Sequence, residues 1–149
     1  MPSAAAPAEP DSPPRSDAGE PLRRRLWMAG CAAAAIVVGL AIHSAMPGAA
    51  GDFLADAAYA VLIYLLVAAL APRHGSAAVL VTSVAICFAI ELAQLSDIPL
   101  RLAEAVPPAA LVFGTTFAGK DLIAYLIGGM LVAGIDSAVR WAGRNRHVS

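Results

Sequence analysis

Seven side chains carry most of the chemical interest of this sequence: Asp52, Asp56, Glu91, Gln94, Arg101, Asp121 and Tyr125. Most of them lie near the end of an apolar run, and in FAIELAQLSD (Phe88 to Asp97) Glu91 and Gln94 stand one helical turn apart. Carboxylates, an amide, a guanidinium and a phenol gathered in an apolar bundle can recognise a lipid or cell-wall-precursor headgroup, or a cationic small molecule. A second chemistry is metal-assisted hydrolysis or transfer on a lipid-linked phosphate, with acids holding a hard divalent cation beside Arg101 and Lys120. A third reading has no ligand: the same groups form a satisfied network that stabilises the bundle or docks another membrane protein. The sequence contains no histidine pair at metal-binding spacing, no glycine-rich phosphate loop and no zinc signature, so neither a metal nor a cofactor is expected.

The elements that must position these groups follow from composition. Of 149 residues, 59% are hydrophobic, and the mean hydropathy of +0.71 exceeds that of ordinary soluble domains. A lipid bilayer is the expected surroundings. The net charge of -1 offers no field for nucleic acid. About 20 helical residues cross a hydrocarbon core, and four windows qualify: Leu26 to Met46, Phe53 to Ala71, Ala77 to Leu95 and Leu122 to Trp141. The expected fold is therefore all-α, a four-span transmembrane bundle over residues 22–142.

Ala105 to Phe117 is apolar but too short to cross and is interrupted by Pro107 and Pro108, which predicts an interfacial or re-entrant segment before the last span. Residues 1–21 hold six prolines among alanine, serine and acids and read as a disordered cytoplasmic tail. Residues 143–149 read as a short basic tail. Placing both termini in the cytoplasm puts Arg15, Arg23, Arg24, Arg25, Arg73, Arg140, Arg144 and Arg146 inside and leaves Arg101 and Lys120 outside. Positive charge resists translocation, so this is the expected orientation. Cys31 and Cys87 lie within apolar runs and read as small packing residues.

Helical spacing then sorts the polar groups into stripes, since residues three, four and seven apart share a face. Asp52, Asp56 and Tyr59 form one; Ser83, Cys87, Glu91 and Gln94 a second; Asp121, Tyr125 and Gly128 a third. An ionisable group facing acyl chains is costly, so these faces are expected to turn inward and meet in a pocket at the outer end. His43 reads as an interfacial or packed histidine. Asp136 falls at the opposite end, where Arg140 one turn later predicts an ordinary helix pair.

The series GDFLADAAYAVLIYLL, FAIELAQL, PLRLAE and FGTTFAGKDLIAYLIGG resembles the bacterial membrane family catalogued as domain of unknown function 2809. The likeness runs over about residues 36 to 135. More distantly, the E-x-x-Q near a helix end, the arginine in the next loop and the aspartate opening the last helix are similar to the VanZ-like group, which often has asparagine where this chain has Tyr125. The resemblance implies a multi-pass protein of the bacterial plasma membrane with Asp52, Glu91, Gln94, Arg101, Asp121 and Tyr125 at its characteristic polar positions. It implies no particular activity.

Overall fold

The computed structural model describes residues 19–108 and 117–145. They form five helices: α1 (Gly19–Ala45), α2 (Ala49–Leu70), α3 (Ser76–Ala93), α4 (Ile98–Ala105) and α5 (Asp121–Asn145). Among the described residues there is no strand, and the fold is all-α as expected. Four of the helices, α1, α2, α3 and α5, are long and apolar enough to cross a membrane. A helix suits hydrocarbon because it satisfies its own backbone hydrogen bonds there.

The first helix begins at Gly19, inside the stretch expected as a tail, and the last runs to Asn145. The rest of both expected tails lies outside the described residues. Most of the expected interfacial or re-entrant segment, residues 109–116, lies outside them too. The chain just before it forms α4, which the sequence reading did not single out. Its local sign is Asp97 in the N-cap position with Pro99 in the first turn, where a missing N–H costs nothing.

The centre of the bundle is α2, which packs against α1, α3 and α5, while α3 also packs on α5. The buried residues of α3 are Ser76, Val79, Ser83, Cys87 and Glu91, a stripe of spacing three and four made of small and polar groups. Large apolar side chains point the other way: Leu70, Val81 and Trp27 are 78%, 69% and 70% exposed. Such an apolar exterior suits lipid. With lipid outside as apolar as leucine, close approach and polar contacts must supply the attraction between helices. Gly128 of α5 gives that approach to α2, because a Cβ there would overlap the backbone carbonyl of Ala57. The tight α1–α2 turn depends on Gly48, whose φ of 102° disfavours any side chain.

A polar tie among four elements lies at the end where α1 begins and α5 finishes. Asp136 is 6% exposed, and its Oδ2 accepts from Arg24 Nη2 at 3.0 Å, Tyr64 Oη at 2.8 Å and Ser76 Oγ at 2.7 Å. Arg140 Nε stands 3.4 Å from the same oxygen. The expected helix pair of Asp136 and Arg140 is present, but it is one edge of a hub that draws side chains from α1, α2, α3 and α5 to a single carboxylate.

Two stability measurements in detergent check this account. Gly128→Ala should cost about 1 to 3 kcal/mol through overpacking, whereas Gly134→Ala, with nothing within 4 Å of its added Cβ, should be neutral or slightly stabilising. Asp136→Ala leaves two guanidinium groups without their buried partner and should cost about 3 to 5 kcal/mol. An Asp136→Ala variant that melts with the wild type would mean the hub holds nothing together.

Candidate functional site

At the opposite end of the bundle, α3, α2 and the start of α5 converge on Glu91. The side chain continues the buried stripe of α3 and is 0% exposed, so its carboxylate must find donors within the protein. Tyr125 Oη, from the second turn of α5, donates to Oε2 at 3.1 Å. The backbone N–H of Ala118 donates to Oε1 at 2.6 Å. Ala118 precedes α5, and its own carbonyl accepts the N–H of Asp121 at 2.8 Å. A carboxylate on α3 thereby fixes the turn from which α5 starts.

That turn delivers Asp121, the first residue of α5, to the side of α2. Its carboxyl group lies in hydrogen-bonding range of Asp56, and Glu91 and Lys120 are both close enough to act on Asp56 electrostatically. Two carboxylates in such contact repel unless a proton or a cation lies between them. Asp121 Oδ1 is buried and meets no donor among the described residues. The walls are apolar and aromatic. Tyr59 and Tyr125 pack with ring centroids 6.2 Å apart at 54°, the tilted arrangement their quadrupoles favour. Ala60 and Cys87 close the cluster from below.

Of the seven residues singled out from sequence, Asp56, Glu91, Asp121 and Tyr125 come together. Gln94 caps the end of α3 beside them and is half-buried. Asp52 is exposed one turn before Asp56, and Arg101 is exposed on α4, outside the cluster. His43 is exposed as well. The α2, α3 and α5 stripes do meet, through Asp56 and Tyr59, Cys87 and Glu91, and Asp121 and Tyr125, while Asp52 stays outside. The Ala118 amide was not foreseen, because a backbone N–H has no signature in residue type. Among the described residues no three histidine, cysteine, aspartate or glutamate side chains are grouped so as to hold a metal ion.

Residues 45–129, more than half of the chain, match the model of a family described as a protein of unknown function (DUF2809). The chain belongs to this family. The DUF2809 match covers α2 to α4 and the opening of α5, and so contains every residue of the Glu91 cluster, whereas Arg24, Asp136 and Arg140 fall outside it. No curated protein and no solved structure matches the chain.

The internal logic of the cluster can be measured. Tyr125→Phe removes one donor from a buried carboxylate and should cost about 1.5 to 3 kcal/mol. Combined with Glu91→Ala, its effect should be largely absorbed, a coupling of about 0.5 to 3 kcal/mol in a double-mutant cycle. Strictly additive losses would show that the Tyr125–Glu91 contact contributes nothing.

Proposed function

We propose that this DUF2809 protein sits in the bacterial inner membrane with both ends in the cytoplasm and binds an ammonium-bearing headgroup at the Asp56–Asp121 pair, facing the outer side. The headgroup would belong to an aminated lipid or a cell-wall precursor. One observation carries the reading: two carboxyl groups in contact, one of them with a buried oxygen that no described donor meets. A primary ammonium supplies both the missing charge and the missing N–H groups. Lys120, near the pair and exposed, would meet the phosphate of a zwitterionic headgroup.

Within this proposal Glu91 has a different task. Its two donors already satisfy it, so it builds the site rather than contacting the ligand, and the stabilising-network reading applies to Glu91 in particular. Among the described residues no three metal-ligating side chains are grouped in a way that supports metal-assisted hydrolysis or transfer. The orientation rests on charge. Arg23, Arg24, Arg25, Arg73, Arg140 and Arg144 belong to the Asp136 end, against Arg101 and Lys120 at the other, and the more basic end stays inside.

Thermal melting of the purified full-length protein in detergent tests the reading. A short-chain ethanolamine lipid or an amine-bearing cell-wall peptide should stabilise the wild type, by about 2.7 kcal/mol at 100 times Kd. The matching choline lipid, whose quaternary nitrogen has no N–H, should do little. Asp121→Asn should abolish the response and Asp52→Asn should keep it. Equal responses to ethanolamine and choline, or an undiminished response in Asp121→Asn, would overturn the assignment.

A further inference from the structure

The basic end of the bundle holds a second candidate, independent of the acid pair. A cavity of about 400 Å³ opens there between the start of α1 and the turn joining α2 to α3, lined in part by Leu22, Arg25, Leu70, Pro72, Arg73 and His74. We propose that it binds the phosphate of an anionic phospholipid, with Arg25 and Arg73 as the anion's partners and the acyl chains running along the exposed leucines of α1 and α2.

Charge complementarity is the first support. The buried carboxylate at this end, Asp136, is paired with Arg24 and Arg140. Neither Arg25 nor Arg73 forms an ion pair with a described residue. Arg25 donates through Nη2 to the carbonyl of Leu70 at 3.2 Å, which sets its guanidinium on the cavity wall with several N–H groups unspent. Arginine presents those groups in a planar fork that matches phosphate oxygens. A histidine, His74, shares the rim; its backbone carbonyl is held by Arg140 Nη2 at 2.6 Å, so the turn bearing Arg73 is anchored to α5.

The second support identifies the source of the phosphate. Leu22 and Leu70 on the wall are 58% and 78% exposed, and Leu26 and Leu66 extend the apolar surface along α1 and α2. Lipid tails lie against these side chains in any case, and a phospholipid seated on them carries its own headgroup to the level of the arginines, whereas a free phosphate has no use for the apolar wall. The helix ends put the cavity where hydrocarbon gives way to water, and basic pockets between spans at that depth suit anionic headgroups.

The full-length protein in detergent, titrated with phosphatidylglycerol or phosphatidylcholine of identical acyl chains, gives the test, with bound lipid counted by native mass spectrometry. Phosphatidylglycerol should be retained several-fold better. Arg73→Gln, an exposed position, should weaken its retention about fivefold, the scale of one basic side chain near a membrane surface. Arg25→Gln should weaken it at least as much, although loss of the Leu70 contact can also lower stability, which is why Arg73 is the deciding variant. Arg23→Gln, outside the cavity lining, should change retention little. Equal retention of the two lipids, or an Arg23→Gln loss as large as that of Arg73→Gln, would overturn the proposal. So would displacement of the lipid by millimolar inorganic phosphate, which would make the cavity a site for soluble phosphate.

Discussion

Each end of this bundle is organised around a carboxylate removed from water. Glu91 is 0% exposed and Asp136 6%, and a buried charge without donors costs more than most single contacts contribute. The donors must therefore come from other elements, and their positions dictate how those elements meet. Asp136 takes a guanidinium from α1, a phenol from α2 and a hydroxyl from α3. Glu91 takes a phenol from α5 and the amide of the turn before it. Lipid tails give helices little hydrophobic reason to associate with one another. Two polar hubs, with the Gly128 crossing between α5 and α2 near the Glu91 one, supply what the hydrophobic effect supplies in a soluble core.

This division explains which features could be read from residue order. Four apolar windows of spanning length are a local property, and each reappears as a helix long enough to cross. The stripe ending in Glu91 is also local, because helical spacing alone puts Ser83, Cys87 and Glu91 on one face, and all three are buried. Partners of the hubs are not local. Arg24 stands 112 residues from Asp136, and in sequence it reads as one of three consecutive arginines flanking a span. Tyr64 and Ser76 lie within or beside apolar runs and carry no sign of their shared acceptor. Likewise the spacing of Asp52 and Asp56 cannot tell that only the second reaches Asp121, since a one-turn difference in depth separates the buried cluster from solvent.

The two ends also differ in sign, and that difference bears on how the chain sits in its membrane. Six arginines belong to the Asp136 end, and only part of that charge is answered by its carboxylate. At the Glu91 end three acids, Asp56, Glu91 and Asp121, share one neighbourhood with a single lysine acting on Asp56. The proposed orientation rests on this axis of charge, because the more basic end of a bundle resists translocation.

The contrast between Asp136 and Asp121 separates a carboxylate answered by donors from one that is not. Both lie on α5, four turns apart, and both face α2. Every contact of Asp136 is with a donor, so its carboxylate is answered within the bundle, although Arg24 Nε and Arg140 Nε in the same hub are buried without an acceptor among the described residues. Asp121 instead meets another acid and keeps a buried oxygen without a donor, an arrangement that the surrounding helices would be expected to relax if stability were its sole purpose. It is kept in place because Glu91, through Ala118, fixes the turn that carries it. A satisfied acid thus holds in position one whose buried oxygen meets no donor among the described residues, and in the reading proposed above it is an ammonium group that supplies that donor.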